Sequence, residues 1–276
     1  MSTIAFKRRR AASRRFALPT WRLVNSEILK LRKRRGVVAL TAVTTVGVTL
    51  VTYGVLVILH AVNAAHYGPA GGVDHLATGI GVLSGLAAVA ATIVGATAGA
   101  GDLGAKVFRE LVVTGRPRQT LFNARIPGGL LFLLPFVAVA FVLTAVASVA
   151  FAGSLPTPSV GLLAESGAYV LLTVAFGYAL ALGLGSLLGS RSTTIGGLLA
   201  WWLAVSPLLM AISFLGGARD ALPSVAIDRF LPGELAGVLK PDNEPSMSVA
   251  AGVVTLVVWM VVALAIGSWR TRARDA

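Results

Sequence analysis

The sequence predicts an all-α membrane protein with six transmembrane helices and both termini cytoplasmic. Three observations carry this reading. The chain is 56% hydrophobic and only 13% charged, with a mean hydropathy of +0.82. A soluble domain carries about 25% charged residues, so this chain cannot clothe a water-facing surface in polar groups. Six runs contain no Asp, Glu, Lys or Arg: 36–73, 75–101, 126–164, 166–190, 192–218 and 245–269. Each exceeds the roughly 20 residues that cross about 30 Å of hydrocarbon, and none alternates as a spanning β-strand does. Finally, 21 of the 24 Lys and Arg fall on one side of a six-span arrangement, the bias that marks the cytoplasmic face.

Residues 1–35 read as a cytoplasmic basic tail and an interfacial helix, and 36–276 as a single six-helix transmembrane domain. The tail contains SRRFAL (Ser13 to Leu18), similar to a twin-arginine export signal. Such a signal needs an apolar stretch next, yet Arg22, Glu27, Lys30, Arg32, Lys33, Arg34 and Arg35 follow, which excludes a signal peptide. The arginine run at 7–15 suits anionic headgroups or disorder. In LPTWRLVNSEILKLRKRR, Thr20 is placed to cap a helix. Trp21, Val24, Ile28 and Leu31 then share one face, with Arg22, Asn25, Ser26, Lys30 and Lys33 elsewhere. This is an amphipathic helix for the membrane interface, with Trp21 at headgroup level. Trp21, Val24 and Ile28 are expected against the membrane, and Glu27 and Lys30 toward polar surroundings or a partner. Two readings stand side by side: a surface anchor, or a docking element.

Trimmed at polar, Pro and Gly positions, the spans lie near 37–61, 78–100, 128–152, 166–188, 195–215 and 248–269. Gly81-x3-Gly85, Gly95-x3-Gly99 and Gly185-x3-Gly189 have the spacing that lets helix backbones approach closely. Pro135 and Pro207 each free a carbonyl one turn earlier and kink their helices. The outer segments are 62–77, 153–165 and 217–247. The last contains Pro223, Pro232, Pro241 and Pro245 and reads as a cap or re-entrant element over the outer mouth. Within it GELAGVLK suits a short helix, with Leu235 and either Val238 or Leu239 inward.

Much chemistry is missing. No Gly is followed directly by Lys, so there is no GxxxxGK[ST] phosphate loop. There is no HExxH, and His60, His66 and His75, near the first outer loop, match no common metal spacing. With no cysteine, disulfides and thiolate sites are excluded. The trimmed spans contain no Asp, Glu, Lys or Arg, whereas ion-coupled pumps usually place such a residue there. Any uphill transport would therefore draw its energy from another subunit, and the chain is expected to be no enzyme and to hold no cofactor. The net charge of +13 follows from topology, so the bilayer rather than nucleic acid is the expected partner.

One stretch stands apart: GDLGAKVFRELVVTGRPRQTLFNAR, residues 101–125, carries five basic and two acidic residues between long apolar runs. Leu103, Val107, Leu111 and neighbouring Phe108 and Val112 form one helical face, with Lys106, Arg109 and Glu110 on the rest. Gly115 then ends the helix and Arg116-Pro117 turns the chain. A solvated positive loop would need charge alone. Phe108 and the apolar face ask for something to bury against.

In these segments the chain resembles the integral membrane subunit of ABC-2-type transporters. SEILKLRKRR (26–35) is similar to the Ser-Glu-x-x-Lys-Leu-Arg stretch before the family's first span. The acid–small–basic run and proline turn after the second span resemble residues 101–125, with Asp102 where the family carries Glu. GYALALGLGSLLGSRS and ALPSVAIDRFLPG look like its later segments. The resemblance implies that the loop between helices 2 and 3 is a cytoplasmic coupling helix fitting a cleft on a separate ATPase. Asp102, Val107, Phe108, Arg109, Glu110, Arg116 and Arg118 are then the ATPase-coupling positions. It further implies two cytoplasmic ABC ATPase subunits that hold the ATP and Mg, a second permease copy or sister permease, a substrate path between the permeases, and a bacterial plasma membrane. The rival expectation is a non-transporting polytopic membrane protein, such as an immunity or anchoring factor.

Overall fold

The structure, a computed structural model, describes residues 20–104, 117–239 and 247–273. Every regular element among these residues is helical. Besides a single turn at Ala64–Tyr67 and a 3-10 stretch at Ser213–Ala221, they are, in chain order, α1 (Trp21–Lys33), α2 (Arg35–Val62), α3 (Val73–Gly104), α4 (Arg118–Ala150), α5 (Val160–Leu188), α6 (Arg191–Ala211), α7 (Pro223–Asp228), α8 (Gly233–Leu239) and α9 (Val249–Ala273). Six of them, α2, α3, α4, α5, α6 and α9, are long and apolar enough to cross a membrane. They overlap the six expected spans, but α5 begins six residues before the expected 166, α6 lies four residues earlier than expected, and α4 begins ten residues before the expected 128. Pro127 lies inside α4 rather than ahead of it, and the additional turns carry polar side chains into the bundle.

Local chemistry sets the ends. The Ser159 side chain accepts from the Leu162 N–H at 3.1 Å to open α5, and Ser190 does the same for Thr193 at 3.4 Å to open α6. Gly189 closes α5 in the left-handed conformation, φ 71°. Thr20 stands at the N-cap of α1, though its side chain makes no capping bond. In α6 a wide π turn at Trp201–Val205 directly precedes Ser206-Pro207, where the proline's missing N–H breaks the regular ladder.

The centre of the bundle is the α3–α5 pair. Their apolar stretches are 67% and 72% buried, and no other span exceeds 28%. Between helices in lipid, close packing rather than hydrophobicity does the joining. A Cβ on Gly95 would lie 2.6 Å from the Tyr178 carbonyl, and one on Gly99 2.6 Å from that of Leu182. The spacing of these two glycines therefore serves backbone approach. Gly81 and Gly85 behave differently: Gly81 receives the side chain of Leu239, and Gly85 faces open space. On its other flank α5 meets α9 at Gly183 and Gly267, where a Cβ on Gly267 would fall 2.6 Å from the Gly183 carbonyl. Gly267→Val should force the two apart and cost about 1–3 kcal/mol. Gly196→Val in α6, where an added Cβ meets nothing within 4 Å, is the matched control. Equal thermal midpoints for the two purified variants would contradict this packing.

At the end of the bundle away from α1, here the top, α7 and α8 form the expected cap. Val225, Ala226 and Ile227 of α7 are buried, and Leu235 of α8 is fully enclosed. Leu239 turns inward over Gly81 while Val238 is exposed, which settles the alternative left by the sequence. At the base, the first turn of α4 touches the end of α9. Arg118 Nη1 donates to the Arg272 carbonyl at 3.1 Å and Gln119 Nε2 to Ser268 Oγ at 2.9 Å. The first and last described helices therefore share one end, as an even number of spans requires.

Candidate functional site: a buried ionic cluster at the base

Helix α1 packs along the first half of α4. Gly128 makes this possible, since a Cβ there would sit 2.7 Å from the Glu27 Cβ and 3.3 Å from the Val24 carbonyl. Val24, Glu27 and Leu31 form the buried face of α1. This corrects the sequence reading for Val24, which placed it toward lipid; Glu27, expected toward polar surroundings or a partner, has its polar neighbour inside the chain in Lys30. Residues 24, 27 and 31 are one helical stripe, and the small surface of α4 draws that stripe inward. Trp21 is 66% exposed and Ile28 half-buried.

Glu27 is accommodated because Lys30, one turn on, reaches its Oε1 at 2.7 Å. Lys30 Nζ also lies 3.2 Å from Asp102 Oδ2, where α3 approaches its end. The same Asp102 oxygen accepts from Arg125 Nη2 at 2.7 Å. Arg125 Nη1 in turn donates to the Gly99 carbonyl at 3.3 Å, supplying positive charge at the C-terminal end of α3, where the helix dipole favours it. Ser186 Oγ of α5 donates to that carbonyl at 3.4 Å, and Tyr178 of α5 donates its hydroxyl to the Arg125 carbonyl at 2.5 Å. Tyr178 fits only because residue 129 is glycine; a Cβ there would overlap its ring. Two acids and two bases, drawn from α1, α3 and α4 and seated on α5, thus form one neutral cluster. Buried charges persist only when paired in this way.

Of the expected coupling positions, Asp102 lies at the centre of the cluster. Arg118 is half-buried at the start of α4, on the Arg272 carbonyl. Val107, Phe108, Arg109, Glu110 and Arg116 lie outside the described residues. Lys30, expected at a polar or partner-facing surface, turns to Glu27 and Asp102 within the chain. Arg125 was counted in the sequence only as a loop base, yet it is 2% exposed and among the largest fully buried side chains. The signal for it was available. Asp102 and Arg125 are opposite charges flanking one connection between consecutive spans, where antiparallel helices bring them level.

His66 lies edge-on to Tyr67 with ring centroids 4.7 Å apart, and His75 Nδ1 lies 3.0 Å from the Gly71 carbonyl. No group of three or more His, Cys, Asp or Glu able to hold a metal occurs among the described residues.

Fold and cluster together define a polytopic helical membrane protein whose base is locked by ion pairs. No protein-family model and no curated protein matches the chain.

Proposed function

We propose that this chain is the permease subunit of an ATP-driven ABC-2-type exporter in a bacterial plasma membrane. In this reading it pairs with a second copy or a sister permease and is driven by cytoplasmic ATPases that bind ATP and Mg. The observation that carries the reading is the Lys30–Asp102–Arg125 chain of ion pairs. SEILKLRKRR and the 101–125 stretch, two of the segments that resemble the family, lie more than sixty residues apart in sequence, and Lys30 and Asp102 join them. Asp102 stands immediately before the proposed coupling helix. A push on that helix would reach α1 and α4 through Asp102 and the bundle centre through Gly99 and Tyr178. Such a rigid junction is what transmission of an ATPase stroke demands.

The test is recovery of a partner. The tagged chain, purified from membranes of its own host, should bring down a protein with a GxxxxGK[ST] phosphate loop, and the complex reconstituted in liposomes should hydrolyse ATP. A chain that purifies alone under all mild detergents tried, in a host that makes such ATPases, would favour the immunity or anchoring reading.

Orientation is tested separately. The 21-to-3 split of Lys and Arg puts the base in the cytoplasm and α8 outside. With no native cysteine, Val238→Cys on the exposed side of α8 should react with a membrane-impermeant maleimide in intact cells. Reaction only after lysis would invert the model.

A further inference from the structure

Where α1 gives way to α2, a cavity of about 570 Å³ opens between α1, α2 and α4. It shares no lining residue with the ionic cluster. Ile28 of α1 and Val38 of α2 face it, and α4 supplies the longest wall, from Leu131 through Phe132 and Pro135 to Phe136. From Leu131 to Phe136 the helix advances five residues, so the cavity extends about 7.5 Å along it. Leu131 and Pro135 are exposed, which leaves the cavity open sideways, where lipid stands against a spanning helix. One lining side chain is charged: Arg32, exposed and one turn beyond Ile28.

Charge at this mouth has one sign. Glu27 is the only acid in α1, α2 and α4, and it is buried and held by Lys30. Among the described residues the ion pairs use Lys30 and Arg125, and none uses Arg32. Lys33 and Arg35, exposed at the same bend, add to the positive field. Residues 1–19 contain six more bases and no acid, so that segment brings no counter-charge. A guanidinium at the mouth of an apolar slot complements the two ends of a phospholipid. Arginine grips phosphate oxygens in pairs, and the slot receives hydrocarbon. The Lys and Arg bias puts this end of the bundle at the cytoplasmic surface, where anionic lipids concentrate and basic pockets between spans take their head groups. We propose that the cavity between α1, α2 and α4 binds an anionic phospholipid, its phosphate on Arg32 and the upper part of one acyl chain along Phe132, Pro135 and Phe136. The proposal rests on the chain crossing a membrane with its base at one surface, and it holds whether or not the chain works with an ATPase.

Native mass spectrometry of the purified, delipidated full chain in neutral detergent tests this, because binding there needs neither a partner nor an orientation. The probes are dioleoyl phosphatidylglycerol and dioleoyl phosphatidylcholine. The second has the same chains and phosphate but adds an ammonium group that a basic mouth repels. Phosphatidylglycerol should bind roughly tenfold tighter, the worth of one charge-assisted hydrogen bond. Arg32→Gln should erase that preference. Arg270→Gln, which removes an equally exposed charge from the base end of α9, should leave it intact. Val38→Phe, grown into the cavity, should weaken both lipids at an unchanged thermal midpoint; if the midpoint falls, Ile28→Phe fills the same space from α1. Glycerol phosphate, a headgroup without chains, should not displace the lipid. Equal binding of the two lipids by the unmodified protein would overturn the proposal. So would equal losses in Arg32→Gln and Arg270→Gln, which would show diffuse surface charge, or displacement by glycerol phosphate, which would show a site for free phosphate. Lipid binding untouched by a folded cavity-filling variant would place the lipid elsewhere and overturn it too.

Discussion

Asp102→Leu is expected to destabilise the protein more than any other single substitution in the ionic cluster. Glu27, Lys30, Asp102 and Arg125 carry two negative and two positive charges that cancel. Asp102 is the member shared by both bases, at 3.2 Å from Lys30 and 2.7 Å from Arg125. Its loss leaves Arg125 buried with only the Gly99 carbonyl as partner, and an uncompensated buried charge costs about 3–5 kcal/mol. Arg125→Leu should cost less, because Asp102 keeps Lys30. Lys30→Met should also cost less than Asp102→Leu, although it takes from the buried Glu27 the base that accommodates it. The Lys30 side chain is 36% exposed, the Asp102–Arg125 pair survives the change, and an ion pair with access to solvent is worth about 1 kcal/mol or less. The double variant Asp102→Leu with Arg125→Leu should recover part of the single loss, since it removes both charges. Thermal midpoints of the four purified proteins give the order directly. Equal midpoints for Asp102→Leu and Lys30→Met would show that the cluster does not hold the base together.

The same cluster shows where sequence reasoning succeeds and where it stops. A span announces itself because about twenty apolar residues in a row have few other uses, so α2, α3, α4, α5, α6 and α9 were legible. The cap helix α8 was legible to its inward leucine, Leu235, because the prolines around it bound so short a segment. Arg125 was not. Hydropathy treats a base at the edge of a span as the end of that span, and only tertiary pairing with Asp102 keeps it inside the helix. The burial of Glu27 escapes notice for a related reason. A helical wheel of α1 alone assigns an acid to the polar side, whereas the partner that reverses the assignment, the glycine surface of α4 at Gly128, lies a hundred residues further on. The cavity beside Arg32 was invisible as well. It is space between three helices, and no residue pattern within one of them records it.

Phe108→Ala is expected to cost the most in function. The expectation comes from the sequence pattern and the proposed coupling role, since Phe108 lies outside the described residues. If an ATPase cleft receives residues 103–115, Phe108, the single aromatic there, is the natural anchor, and truncating such an anchor costs about 2 kcal/mol or more, roughly a thirtyfold loss of affinity. Recovery of the ATPase with the tagged chain should fall accordingly and ATP-driven transport should be lost. Thermal midpoint and elution should stay at wild-type values, because the ion pairs at Asp102 and Arg125 are untouched. Thr120→Ala is the control. Thr120 is buried at the start of α4 and its hydroxyl finds no hydrogen-bond partner among the described residues, so removing it leaves nothing newly unsatisfied. Arg109→Glu should weaken recovery less than Phe108→Ala, and more at low salt than at high, because an exposed charge at an interface acts through a screened field. A solvated basic loop predicts a different pattern: Phe108→Ala silent, and an effect only when several Lys and Arg are removed and topology is disturbed. Equal ATPase recovery for Phe108→Ala and Thr120→Ala would therefore end the case for this stretch as a coupling element, while leaving the six-helix bundle and its ionic base as they stand.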